Sequence, residues 1–367
     1  MLVAIIVGVV IAVGAAVAAV VIAQTPRGVE ADADPDQVVV HLLQRSADGD
    51  DAIFRTDLTG ENAVPVFTHP HIEDFRATAS HLVVSVLNDD DAAELIMTGP
   101  GGENPRELPL PGDGYIAQLQ SADDRELVGY TFSDADLGES GGQESVLFTA
   151  QLTDAAAEPT EIRVEGADAR VAEWRFVPGT DSILVLSFDE SLLLADPSGD
   201  ETALGEAVTI DGIARRSSDA VIEREGEMKV LDLADTSEAP LVPADEDLGV
   251  LAAVTPLPDG ATVRTSALLD ASGLPTEGTT VSLVATDGAT RVLLEAPTTD
   301  AVLQTCVSPG SRYLAVLVAP DAISNPYDTY RLPLPERLET RVIELADGSD
   351  VVALAGSSIS WCQEPPG

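Results

Sequence analysis

The side chains whose unperturbed chemistry turns over near neutral pH are four histidines, crowded into the first quarter of the chain at His41, His69, His71 and His81. His69-Pro70-His71 has the close spacing of a metal pair, but zinc needs three or four converging ligands and no cysteine lies near. Two histidines around a proline also make an ordinary turn, so no metal and no cofactor is expected. Acids are abundant: 63 Asp and Glu could supply the two carboxylates that glycoside cleavage places on either side of one bond. Lys229 is the only lysine and sits in Gly226-Glu227-Met228-Lys229, where pairing with acids is the expected role rather than nucleophilic attack.

The acids outnumber 19 bases, and the net charge is -44. Such a surface repels phosphates, so nucleic acid is excluded as a partner. The same charge repels itself when salt is scarce, which suits a saline habitat, although uniform acidity also arises as a habit of a whole proteome.

Positioning any of these groups falls to short strands. An apolar run, a polar or Pro/Gly turn and a second apolar run form a phrase that recurs about every 40 to 57 residues. Trp174-Arg175-Phe176-Val177-Pro178-Gly179-Thr180-Asp181-Ser182-Ile183-Leu184-Val185-Leu186 is one example. A second hairpin follows, with Asp and Gly in its turn, as in Asp196-Pro197-Ser198-Gly199 and Asp287-Gly288. Each unit therefore predicts four strands, A to D, and a ring of such units is a β-propeller. Six inner A strands are expected near His71, Tyr115, Ala169, Val208, Leu248 and Ala301. The first unit begins at a B-like strand from Gln37 and lacks its A strand, while Ser357 to Cys362 is left over at the other end. The expectation is an all-β, seven-bladed propeller over 37–362 closed by the C-terminal strand, with six blades as the alternative count and 363–367 as a tail.

The cysteines support closure independently. Cys306 falls in the last A strand and Cys362 in the strand proposed to complete the first blade, so in a closed ring they are neighbours. A disulfide there would close a loop of roughly 55 residues and contribute about 4 kcal/mol by chain entropy.

The turns Val177-Pro178-Gly179-Thr180, Leu257-Pro258-Asp259-Gly260 and Ser308-Pro309-Gly310-Ser311-Arg312-Tyr313-Leu314-Ala315 resemble the recurring element of TolB-like and WD-type β-propellers. The resemblance implies a propeller that binds proteins or small ligands at its rim or channel. The space before Gln37 is too short for TolB's separate N-terminal domain, and regular Gly-His and Trp-Asp dipeptides are missing, so the resemblance is one of architecture.

Residues 1–23 include a continuous apolar run, Leu2 to Ala23, long enough as a helix to cross a bilayer core of roughly 30 Å. An uncleaved anchor is favoured over a cleaved signal, with residues 24–36 as an acidic linker. The absence of Lys or Arg before the span gives no charge support for topology, but a disulfide suits an oxidising exterior. The expected location is the extracytoplasmic side of a membrane, or the exterior after cleavage.

Function is less legible. Channel-facing acids are expected on A strands at Glu73, Asp74, Glu173 and Asp211, and Tyr327 and Tyr330 lie in a Pro-rich insertion, Asp321 to Pro335, able to form a contact. Three classes follow: a membrane-anchored module that binds an envelope protein or a small ligand, an enzyme acting through channel carboxylates on a glycan or lactone, or a structural envelope protein. The charge yields one prediction. The melting temperature should rise as NaCl goes from about 0.05 M to about 1 M and the screening length shrinks several-fold; a flat profile across that range would remove self-repulsion as a determinant of stability.

Overall fold

The computed structural model describes residues 38–46, 49–88, 91–122, 124–134, 145–154, 156–164, 170–269, 275–322 and 337–362. The apolar span 1–23, the linker, the tail 363–367, Tyr327 and Tyr330 lie outside these residues. The described residues form seven four-stranded antiparallel sheets, each in the order A-B-C-D. The all-β, seven-bladed propeller is therefore the fold, and the six-bladed count is set aside.

Blade 4 shows how the phrase becomes structure. Strand A, Val171–Phe176, turns at Pro178-Gly179, where Gly179 takes φ 74°, into strand B, Ile183–Ser187. Strand C, Ser191–Ala195, turns through Asp196-Pro197-Ser198-Gly199 into strand D, Glu201–Glu206. The Asp196 carboxylate accepts the Ser198 N–H at 2.7 Å, a local bond that holds the turn while Gly199 takes φ 91°. Asp232, Asp259, Asp287 and Asp347 repeat the device two residues ahead of the N–H they receive.

The B strands explain the apolar runs. Every residue of blade 7 strand B, Tyr313–Ala319, is buried, because each sheet has a neighbouring blade on both faces. One-sided sheets would alternate instead. Only 4% of residues are aromatic, and among them Trp174, Tyr130 and Tyr313 are fully buried. Trp174 packs with Leu147, Ile162 and Val185 in a cluster shared by blades 3 and 4.

The seam is where the two chain ends meet. Blade 1 takes its A strand from Ser358–Ile359, followed by B, Val39–Gln44, C, Asp51–Asp57, and D, Val64–His69. Ladder pairs are Leu42 with Ile359 and Leu43 with Ser358. The closing strand is thus shorter than the Ser357 to Cys362 expected, and strand B begins at Val39 rather than Gln37. Ser357 N–H donates to Leu43 O and Ser360 N–H to His41 O, and then the chain turns, with Cys362 N–H bonded to Ile359 O. The Cys306–Cys362 disulfide sits beside this turn with Cα atoms 5.1 Å apart, and Trp361 stacks on Tyr313 at 6.2 Å.

Strand direction sorts the surface into two faces. A and C strands start on one face and B and D strands on the other, so B–C turns and blade-to-blade connections share the first, the loop face. A–B and C–D turns occupy the second, the turn face. The chain enters the ring at Val39, the start of a B strand, hence on the turn face.

The seam makes two variants informative. Cys306→Ser with Cys362→Ser should lower the urea-unfolding free energy by about 4 kcal/mol. A chain ending at Gly356 should lose more, since it also lacks the ladder pairs and Trp361; if it melts with the intact domain, closure lies elsewhere.

Candidate functional site

The inner strand of each blade has a ladder partner on one side only, so its outer backbone groups face the channel unpaired within the sheet. Side chains from the preceding blade supply many of the missing partners. Gln118 and Gln120 of blade 3 strand A, Gly114–Ser121, donate to Ala172 O at 2.6 Å and Trp174 O at 2.7 Å. Glu173 accepts Ile210 N–H at 3.0 Å, Arg175 donates to Ile210 O at 3.3 Å, and Asp211 accepts Val254 N–H at 3.2 Å. Arg45 binds Ile72 O and Glu73 O from blade 1, and Thr255 meets Thr305 at 3.4 Å. Bulges in the inner strands of blades 2 to 7 create the room and aim these groups.

A common register links them. The A–B turn is closed by the N–H of Thr78, Ala122, Val177, Ala214, Leu257 and Ser308 in blades 2 to 7. Two residues earlier stand Arg76, Gln120, Arg175, Gly212, Thr255 and Cys306. Three blades thus place a long polar side chain at this level, and three place a short one or a disulfide sulfur.

The channel is lopsided for that reason. Beside Gly212, which has no side chain, and the methyl groups of Ala252 and Ala253 lies a cavity of about 400 Å³, bounded by blades 5, 6 and 7. Asp211, Arg215, Thr255, Gln304, Thr305 and Trp361 furnish its polar and aromatic wall. Arg215 follows blade 5 strand A, Thr209–Ile213, and donates to Trp361 O at the seam, spanning from one side of the channel to another on the turn-face side. Ala252, exposed near the loop-face start of blade 6 strand A, Val250–Pro256, marks the solvent side.

The sequence candidates scatter across this frame. Asp211 lines the cavity. Burial pushes its carboxyl up to about 6, with repulsion from Glu173 and Glu223 working against the bonds from Thr209 and Val254. Glu173 sits beside it as an inter-blade acceptor. Asp74 is paired with Arg76 at 2.6 Å; burial raises its carboxyl against the pull of that guanidinium. Glu73 is exposed at the bulge of its strand, away from the cavity. His69 and His71 bond to each other, His71 N–H to His69 Nδ1 at 3.2 Å, as a turn would. Among the described residues no group of three His, Cys, Asp or Glu converges as metal ligands would. Lys229 pairs with Glu225 at 3.3 Å and Glu238 at 3.8 Å. Arg76, Gln120, Arg175 and Arg215 are the channel side chains that sequence reading missed; the fixed offset of the first three from the A–B turn was the available signal, and Arg215, one residue past the turn-closing Ala214, had none.

Exposed large apolar residues are also unevenly placed. Of nine among the described residues, Tyr115, Phe188, Val208, Val250, Leu268 and Leu269 lie on the loop face of blades 3 to 6. Arg170 covers the Phe188 ring at 4.9 Å, and the exposed acids Asp189, Glu190 and Glu206 surround that spot.

Neither a family model nor a curated protein sequence matches the chain. Solved structures match its fold. The propeller domain of the Trilobed protease from Pyrococcus furiosus shares 10% identity over 86% of this chain and 94% of that one, with a TM-score of 0.57. That propeller has an open velcro topology, whereas this ring is closed through Leu42 and Leu43. A prolyl endopeptidase shares 11% identity over 92% of this chain, which spans half of the peptidase (50%), with a TM-score of 0.64. TolB from Acinetobacter baumannii matches at 12% identity over 86% of this chain and 63% of its own, with a TM-score of 0.48. The likeness is one of fold, that of a β-propeller, as the turns led one to expect.

Asp211 gives a pH prediction. Between about pH 4 and about 6 the folded carboxyl keeps a proton that the unfolded chain has released, so its contribution is full below about 4 and lost as pH rises through about 6. Asp211→Asn preserves the acceptor for Val254 and removes that loss. Its stability relative to the parent should improve by about 2 kcal/mol between pH 4 and pH 7, allowing for partial solvent access. A difference independent of pH would overturn the assignment.

Proposed function

We propose that this chain is a membrane-tethered, extracytoplasmic binding module whose loop face receives a protein partner. The carrying observation is the collection of six exposed apolar residues on that face, over four consecutive blades, inside an acidic surround. Scattered exposed apolar residues are ordinary, but a grouping rimmed by charge is the signature of a contact surface.

Topology supports the same reading. The segment before Val39 joins the ring on the turn face, so a tether made by residues 1–36 would hold the loop face outward from the membrane. The insertion after blade 7 strand B leaves and returns on the loop face as well, since strand B ends at Ala319 and strand C begins at Glu339. A net charge of -44 favours a partner with basic residues around an apolar projection, with attraction that speeds encounter and weakens with salt.

The channel acids fit this reading as ties. Glu173 and Asp211 each accept a backbone N–H of the next blade, and Asp74 holds Arg76. Rigid blades then present the loops, the division of labour expected of such a scaffold.

Photo-crosslinking in native membranes tests it. A photoreactive residue replacing Phe188 or Tyr115 should give a discrete protein adduct that fades at high salt, whereas one replacing Val64 on the turn face should not. Equal adducts from both faces, or none from the loop face, would overturn the proposal.

A further inference from the structure

The loop face leaves the channel cavity unexplained. Its volume of about 400 Å³ falls in the lower part of the range of small-molecule sites. It is a constructed space rather than a packing fault: Gly212, Thr255 and Cys306 occupy the register at which blades 2 to 4 fill the channel with Arg76, Gln120 and Arg175. Ala252 and Ala253 widen it further.

The wall limits what can enter. One carboxylate, Asp211, and one guanidinium, Arg215, leave the lining neutral in sum. Arg215 already donates to Trp361 O, and the molecule as a whole is strongly acidic, so an anion finds little attraction. A bare cation would meet that same guanidinium in the wall, and a zwitterion would shed the hydration of two charges for one partner each. A neutral molecule dense in hydroxyl groups meets neither cost. Asp211 accepts two protein hydrogen bonds, from Thr209 and Val254, out of about four that a carboxylate can take. Thr255 and Thr305 offer hydroxyls that donate or accept, Gln304 stands beside them, and Trp361, buried against Tyr313, adjoins the cavity closely enough to report on its contents.

We infer that the cavity between blades 5, 6 and 7 is a binding site for a neutral polyhydroxylated molecule of mono- or disaccharide size, with Asp211 as its principal hydrogen-bond acceptor. The site is separate from the loop-face contact and does not depend on it. The sugar enters from the side of Ala252 and takes the place of the cavity's water, a dozen or so molecules at liquid density.

Titration of the full chain with a panel of neutral mono- and disaccharides, with a free amino acid, a primary amine and inorganic phosphate as comparators, tests the inference. Heat and Trp fluorescence are the readouts, and Trp174→Phe leaves Trp361 as the only indole of the chain. Saturable binding of at least one sugar is expected, with a change in Trp361 emission. Asp211→Asn should weaken it at least about tenfold, the usual loss for a charge-assisted bond. Ala252→Leu, which narrows the cavity at its solvent side and removes no polar group, should weaken it severalfold or more while melting temperature stays within a few degrees. No sugar binding, preferred binding of the amino acid, amine or phosphate, or binding left unchanged by both Asp211→Asn and Ala252→Leu would each overturn it.

Discussion

Every inner strand of this ring has an edge with no strand beside it, and the structure depends on how those edges are satisfied. Backbone groups left without partners in a partly enclosed channel are costly. The chain answers with side chains that reach from one blade to the backbone of the next: Gln120 to Trp174, Arg175 to Ile210, Asp211 to Val254. The disulfide belongs to the same series. Cys306 stands at the register of Gln120 and Arg175, and it ties blade 7 to blade 1 by a covalent bond where the other blades use hydrogen bonds.

A covalent tie is placed where the sheet is weakest. The seam strand contributes two ladder pairs, against six between strands B and C of blade 7. Tyr313 and Trp361 stack beside it, Val40, Leu42 and Ile359 bury the joint, and Arg215 reaches Trp361 from across the channel. Opening the seam would expose that cluster and the edge of blade 1 together, so closure and the integrity of the channel floor are one event.

The same requirement shapes the cavity. Where ties are long, as in blades 2 to 4, Arg and Gln stems fill the channel. Where the tie is a threonine pair, a disulfide or an acid in a bulge, space remains, and Asp211 is both a tie and part of the wall. Its double role gives it a raised pKa, since the burial that makes it an effective strut also disfavours its charge. The acidity of the whole chain then acts from outside, setting which charges can approach either the channel or the loop face.

The repeat of apolar run, Pro/Gly turn and Asp-Gly hairpin determined the blades and the strand missing from the first, because hairpin geometry is written in neighbouring residues, while the choice of seven over six came from the closed ring. Composition determined what the surface repels. The cysteine pairing was legible too, but only through the assumption of a closed ring. What the sequence did not disclose is which of 63 acids matter, since Glu73, Asp74, Glu173 and Asp211 look alike along the chain. Tertiary structure separated them: an exposed bulge, an ion pair, a backbone tie and a cavity wall. It also decided that exposed apolar residues scattered from Tyr115 to Leu269 share one face. The reason is physical. Strands are local, but a channel wall and a face are assembled from different blades, so their members are set by ring closure and not by spacing along the chain.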